Sequence, residues 1–159
     1  MKIRVGFGYD VHQLAEGRPL WLGGIRLEHP KGGLGHSDAD VLIHAICDAL
    51  LGAANLRDIG FHFANNDPAY KNIDSKILLK KVTELLADKG YRIGNIDCSL
   101  TLEAPKINPH IPAMQKTLSS VMEIEEDAVS IKATTNEQMG FVGRGEGVCA
   151  YAVALIQKN

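Results

Sequence analysis

Nine consecutive residues, His36-Ser37-Asp38-Ala39-Asp40-Val41-Leu42-Ile43-His44, carry two histidines, two aspartates and a serine. Imidazole and carboxylate are the ligand types of a catalytic metal ion. The stretch joins a glycine-rich approach (Gly32, Gly33, Gly35) to a helical pattern. Ser37 and Asp40 have the spacing of a capping box, so the helix is expected to start near Asp38. Asp40 and His44 then lie one turn apart on one face. A helix N-terminus also attracts anions through its free N–H groups. The plainer alternative is that Ser37, Asp38 and Asp40 only cap a helix and His44 makes a polar contact. Nothing in these nine residues decides between the two.

Asp10-Val11-His12 supplies a second pair. Two residues apart on a strand, Asp10 and His12 point the same way. Alone they read as a polar strand face. With His44 they make three ligands, the number a catalytic zinc site uses when its fourth position stays open. That grouping requires the strand to pass beside the helix. A third candidate is the run Thr134-Thr135-Asn136-Glu137-Gln138-Met139-Gly140-Phe141-Val142-Gly143-Arg144-Gly145-Glu146-Gly147. Its glycines can turn N–H groups toward an anion, Glu137 suits a hard cation, and Arg144 suits a phosphate or carboxylate. It is neither a Walker A loop nor a dinucleotide fingerprint, and a flexible hairpin loop is an equal reading. Lys106, before the helix start at Asn108-Pro109, would favour a phosphate or stand as an ordinary surface lysine. Asp58 and His62 lie in a long polar loop; His29 and His110 read as bland.

These residues need elements to hold them. Ile3 to Leu14 alternates with a period of two and reads as a strand, placing Tyr9 and Val11 opposite Asp10 and His12. Leu20-Trp21-Leu22 and Ile25-Arg26-Leu27 read as a hairpin across Gly23-Gly24. His29 to Gly35 reads as loop. Helix one runs from about Asp38 to Ala53, with Val41, Leu42, Ala45, Ile46, Ala49, Leu50 and Ala53 on its apolar side. Asn55 to Tyr70 is a long loop, a length that favours function or mobility. Helix two runs from about Ser75 to Lys89, with Gly90 as its stop. A strand from Tyr91 to Leu102 follows. Helix three, capped by Asn108 with Pro109 at its first position, runs to about Met122. Strands at Ala128 to Ala133 and Val148 to Ile156 close the chain. The order β-β-β-α-α-β-α-β-β predicts an α+β single domain over residues 1–159, with a mixed β-sheet and helices packed on one face.

Bulk composition excludes several classes. At 159 residues the chain suits one sizeable core, and 45% hydrophobic with 23% charged residues is ordinary for a globular protein. A net charge of −2 gives no general affinity for nucleic acid. Cys47, Cys98 and Cys149 form no CxxC pair and read as buried hydrophobes in a reducing compartment. With no signal-peptide pattern and no long apolar run, the expectation is a cytoplasmic protein without membrane attachment, or a mature form whose targeting segment has been removed.

Taken in order, the motifs resemble one family. They are Gly8-Tyr9-Asp10-Val11-His12, Gly35-His36-Ser37-Asp38-Ala39-Asp40-Val41, Asp48-Ala49-Leu50-Leu51-Gly52-Ala53-Ala54, Asp58-Ile59-Gly60, Ala104-Pro105-Lys106, Pro109-His110-Ile111-Pro112, Lys132-Ala133-Thr134-Thr135, and Gly140-Phe141 with Gly143-Arg144-Gly145-Glu146-Gly147. As a set covering nearly the whole chain, they resemble the 2-C-methyl-D-erythritol 2,4-cyclodiphosphate synthases of non-mevalonate isoprenoid biosynthesis. The resemblance implies conversion of 4-diphosphocytidyl-2-C-methyl-D-erythritol 2-phosphate to the cyclic diphosphate and CMP, in a homotrimer with active sites between subunits. It implies Zn2+ on Asp10, His12 and His44, and Mg2+ or Mn2+ on Glu137. His36 and Thr135 match positions that stabilise the transition state. Asp10, His12, His36, Ser37, Asp58, Ile59, Gly60, Phe63, Asn65 and Asp67 match positions around the methylerythritol portion and the metal. Leu102, Lys106, Ile107, Asn108, Ala133, Thr134, Thr135 and Glu137 match those for cytidine and phosphate. Phe141 and Arg144 match positions of the substrate site or a central trimer channel. Asp38 and Asp40 are left to cap the helix or to support the ligand histidines.

One segment departs from the family. Phe63-Ala64-Asn65-Asn66-Asp67-Pro68 stands where members usually carry Phe-Pro-Asp-Thr-Asp-Pro. Asn65 keeps an acceptor oxygen but loses a charge, and Ala64 in place of proline is expected to loosen the loop. Two other readings of the same residues remain: a zinc-dependent phosphoesterase giving linear products, and a zinc-stabilised module that binds cytidine nucleotides without turnover.

Overall fold

A strand that alternates apolar and polar residues normally turns its apolar side to the core. The first strand does the reverse. In the computed structural model, which describes residues 2–64 and 66–158, β1 (Lys2–Glu16) leaves Ile3, Val5, Phe7, Tyr9 and Val11 exposed. Its other side, carrying Gly6, Gly8, Asp10 and His12, lies against the long central helix. Glycine makes this possible: a Cβ on Gly6 would stand 1.9 Å from the carbonyl oxygen of Ala49, and one on Gly8 1.9 Å from that of Ala45.

After β1 come the hairpin strands β2 (Leu20–Leu22) and β3 (Ile25–Leu27), then a short β4 (Lys31–Leu34). Helix α1 (Val41–Ala53) is followed by one turn of helix, α2 (Ile59–His62), and by α3 (Ser75–Asp88). Strand β5 (Arg92–Thr101), helix α4 (Ile111–Met122), strand β6 (Val129–Thr134), a short α5 (Gly140–Gly143) and strand β7 (Gly147–Lys158) complete the chain. The main sheet has the order β4-β1-β7-β5-β6. β5 and β6 pair in parallel and the other neighbours antiparallel, so the sheet is mixed. The α+β expectation is met.

Helix α1 is the centre of the core. Ile43, Cys47 and Leu51 are buried as fully as the predicted stripe, because β1 and β7 cover one side and α3 another. Only the line of His44, Asp48 and Gly52 escapes full burial. Gly90, with φ +73°, ends α3 as expected, its N–H donating to Ala87 O. Among the described residues, no helix is long and apolar enough to cross a membrane.

Several boundaries differ from the expectation. Helix α1 starts at Val41, not near Asp38, and its N-cap is Asp40. The capping-box reading of Ser37 fails because Asp40 does more than cap. Its fully buried carboxylate accepts from Ile43 N and Gly23 N at 3.0 Å and from Gly24 N at 2.7 Å. One side chain thus starts the helix and fixes the β2–β3 turn, a long-range demand invisible in a local pattern. Residues 31–34, read as loop, pair with the end of β1. Backbone pairing of Gly32 and Gly33 needs no apolar side chain, so the alternation signal was missing. The long loops contain α2, a 3-10 turn at Pro68–Tyr70 and α5. Asn108 does not cap a helix; it begins a 3-10 turn, Asn108–His110, that leads into α4.

Candidate functional site

The close approach of β1 to α1 decides the site. Gly6 and Gly8 let the helix lie on the strand, and the next two residues on that side, Asp10 and His12, meet His44 in the first turn of α1. Asp10 Oδ2 is 3.0 Å from His44 Nδ1 and 3.1 Å from His12 Nε2. The two imidazole nitrogens are 3.1 Å apart. The three atoms form a nearly equilateral triangle, and among the described residues this is the one carboxylate and histidine group with metal-site spacing. Ligand atoms about 2.0–2.1 Å from a tetrahedral metal ion stand about 3.3 Å from one another. The donor set and its spacing therefore fit a metal ion.

Electrostatics favour the ligand form of Asp10. Burial opposes its charge, yet hydrogen bonds with His12 and His44 outweigh burial and hold the carboxyl well below the usual carboxylate range. Burial lowers His44, but the hydrogen bond to Asp10 and the charges of Asp10, Asp40 and Asp38 win and raise it.

A pocket of about 250 Å³ opens over the triangle. Of the residues predicted from sequence, it brings together Asp10, His12, His36, Ser37, His44, Ile59 and Phe63. His36 Nε2 lies 3.0 Å from the carbonyl oxygen of Asp67 and links two walls. Asp58 and Asp67 spend their carboxylates on Phe61 N and Ala69 N, shaping the turns that carry Ile59, Gly60 and Phe63. Asn65, expected in this wall, lies outside the described residues. Tyr70, Ile73 and Leu78 also line the pocket. Sequence reasoning missed them because their apolar character reads equally as core.

A second pocket, about 400 Å³, gathers Leu102, Lys106, Ile107, Asn108, Ala133, Thr134 and Thr135 at the ends of β5 and β6. The parallel register sets Thr101 beside Thr134, which is why two segments far apart in sequence share one wall. Glu103 carries no signal in the sequence that would select it. Its Oε1 accepts from Asn136 N at 2.8 Å and Gln138 N at 3.3 Å, fixing the turn that presents exposed Glu137. Glu137 Oε1 is 3.3 Å from Thr135 Oγ1. The two pockets share no lining residue. Phe141 and Arg144 belong to neither: Phe141 faces a separate cleft with Val11 and Glu146, and Arg144 is paired with Glu146 at 2.8 Å.

Known proteins share this chain's sequence and fold. A 2-C-methyl-D-erythritol 2,4-cyclodiphosphate synthase from Bacteroides thetaiotaomicron is 67% identical over 159 residues, covering all of both chains. A solved 2C-methyl-D-erythritol-2,4-cyclodiphosphate synthase in its CDP-bound form matches with a TM-score of 0.89 at 37% identity, covering 97% of this chain and 100% of that one. The bifunctional IspDF from Campylobacter jejuni matches with a TM-score of 0.96 at 37% identity, covering 99% of this chain but 43% of that longer one. The model of the YgbB family matches residues 3–157, and with relatives this similar over their full length the chain belongs to the YgbB family.

Proposed function

We propose that this chain catalyses the cyclisation of 4-diphosphocytidyl-2-C-methyl-D-erythritol 2-phosphate to 2-C-methyl-D-erythritol 2,4-cyclodiphosphate with release of CMP, a step of non-mevalonate isoprenoid biosynthesis. The observation that carries the reading is the Asp10, His12 and His44 triangle at the floor of a pocket, in a chain whose full-length relatives bear that synthase name. An oxygen of the 2-phosphate attacks the β-phosphorus. The bond from that phosphorus to the oxygen bridging it to the α-phosphorus breaks, and CMP leaves with the electron pair.

Both reacting groups are anions, so the barrier is one of position and charge. The nucleophile is already ionised near neutral pH, and no strong general base is required of the chain. Asp10, His12 and His44 would hold Zn2+, which when bound would supply Lewis acidity toward the diphosphate, and Glu137 would hold Mg2+ or Mn2+, which would offset its negative charge. Asp10 would enter that set as a carboxylate. His36 and Thr135 are assigned to donate hydrogen bonds to the developing charge, each worth about 3 kcal/mol in such roles. When His36 Nε2–H donates to the Asp67 carbonyl, its Nδ1 donates to substrate only as the imidazolium. Ser37, Asp58, Ile59, Gly60, Phe63, Asn65 and Asp67 are assigned to the methylerythritol phosphate. Leu102, Lys106, Ile107, Asn108, Ala133 and Thr134 are assigned to the cytidine nucleotide, the ligand class of the CDP-bound relative. Phe141 and Arg144 are assigned to the site margin.

The working form is proposed to be a homotrimer with sites between subunits. Its support is the outer side of β1 and β7, where Val5 and Phe7 are each 64% exposed beside Ile3, Tyr151 and Val153. An apolar sheet face of that kind marks a surface other chains cover. Placing one copy's nucleotide pocket against another's metal pocket would join the two halves of the substrate site. The unbridged, buried cysteines suit a reducing, cytoplasmic setting.

The test is direct. Incubated with the cytidyl substrate, Zn2+ and Mg2+, the protein is expected to give CMP and a cyclic diphosphate by phosphorus NMR. CMP with a linear product would favour the phosphoesterase reading, and nucleotide binding without CMP release would leave a binding module; either result overturns the proposal.

A further inference from the structure

The triangle uses one nitrogen of His44. The other nitrogen sits in a chain of contacts that neither pocket explains. His44 Nε2 lies 2.9 Å from Ser75 Oγ. Ser75 is the first residue of α3 and is fully buried. Its hydroxyl donates to Asp38 Oδ1, and its N–H donates to Asp38 Oδ2 at 2.9 Å. Asp38 Oδ1 also accepts from Asp40 N at 3.2 Å. The carboxylate is thus fixed by three donors from the starts of two helices.

These contacts set a direction. A hydroxyl has one proton, and Ser75 gives it to the carboxylate, which can only accept. Toward His44 the Ser75 oxygen is therefore an acceptor, and His44 Nε2 must carry a proton. Nδ1 is the atom that faces Asp10 and His12; without an ion it donates to the Asp10 carboxylate, and it is this proton, not the one on Nε2, that a metal ion would displace. Ser37 Oγ is also near Nε2, at the longer distance of 3.2 Å, and it already accepts from Ala39 N.

We propose that Ser75 and Asp38 are positioning residues for the metal centre: the Asp38–Ser75 pair holds the proton of His44 on Nε2 and so presents Nδ1 to the ion. This rests on the metal-centre reading of the triangle. Breaking such outer hydrogen bonds usually lowers metal affinity 10–100-fold, roughly. The ring loses both its orientation and its preference for one tautomer. The pair also explains why α3 must start where it does, since the residue at its first position touches a ligand from behind.

Two measurements test this. The first uses the wild-type protein with 15N-labelled histidine. In the metal-free protein, long-range 1H–15N spectra are expected to show a protonated Nε2, with Nδ1 also protonated toward Asp10. With Zn2+ added, Nε2 is expected to stay protonated while the Nδ1 resonance moves. A His44 with no proton on Nε2 overturns the proposal, and this arm reads that proton even in a chain that held no zinc. The second measures Zn2+ affinity by competition with a chromophoric chelator, in variants whose circular dichroism matches wild type. Ser75→Ala and Asp38→Asn are expected to bind Zn2+ roughly 10–100-fold more weakly, with Ser75→Thr restoring most of the loss. Ser75→Ala affinity within twofold of wild type overturns the proposal. Failure of the wild type to bind Zn2+ at all would instead strike the metal-centre reading, leaving the tautomer spectrum to judge the relay.

Discussion

Gly8 of β1 and Ala45 of α1 pack backbone to backbone, so closely that a Cβ on Gly8 would stand 1.9 Å from the Ala45 carbonyl oxygen. The metal triangle depends on this contact. His44 is the neighbour of Ala45, and Asp10 is two residues beyond Gly8 on the same side of the strand. Gly8→Ala would push the helix off the strand or bend the strand away. The expected cost is about 1–3 kcal/mol, or more because both clashing groups are backbone. Thermal unfolding should show a lowered midpoint, and metal analysis a reduced zinc content. A variant with unchanged melting and full zinc would show that the packing is not what sets the site.

His44 reaches the triangle from the helix, whereas Asp10 and His12 share a strand. Its removal leaves two ligands on one side of the ion. His44→Ala is expected to abolish stoichiometric zinc after dialysis, measured by elemental analysis, with CMP release falling below detection. The fold should survive, because the side chain lies at the pocket rather than among the apolar contacts. Retained stoichiometric zinc would remove His44 from the ligand set.

Asp48, one turn after His44, accepts from Ile59 N at 2.7 Å and ties α2 to α1. Burial raises its carboxyl above the ordinary value, opposed by that hydrogen bond, while Asp58 and Asp10 raise it further. A carboxyl raised in the folded state favours the protonated form there. Stability from this group is therefore full below the unfolded value near pH 4 and declines as pH rises through the folded value. Asp48→Asn keeps the acceptor and discards the charge. Denaturant titrations should find the variant gaining on wild type between pH 4 and pH 7, with the advantage vanishing at the acid end. A difference that does not change with pH would refute the assignment.

Phe7 stands at the middle of the outer apolar face, 64% exposed. A charge there would be buried without a partner in any assembly that covers this face. Phe7→Asp is expected to convert the proposed trimer to monomer in sedimentation velocity, with little change in the monomer's own circular dichroism. Activity should fall with the trimer, since the two pockets lie apart in one chain. A Phe7→Asp protein that sediments like wild type would exclude this face from the interface.

Much of this was legible in one dimension because it is local. Period-two and period-3.6 patterns placed the main strands and helices, and Gly90 ended α3 as its left-handed conformation requires. The helix start was misread at Ser37 because Asp40 answers to Gly23 and Gly24 as well as to its own helix. Ser75 and Glu103 went unselected for the same reason: each acts on a segment roughly thirty residues distant. A single sequence gives no sign of such distances.

By itself the sequence determined the ligand types, the side of β1 they share and the family the motifs resemble. Only the tertiary structure decided that this side faces the core and that the apolar side faces outward. Alternation specifies two faces but not which one meets the helix. Gly6 and Gly8 decide that, because backbone can approach backbone only where no Cβ intervenes, and it is this approach that brings Asp10 and His12 to His44.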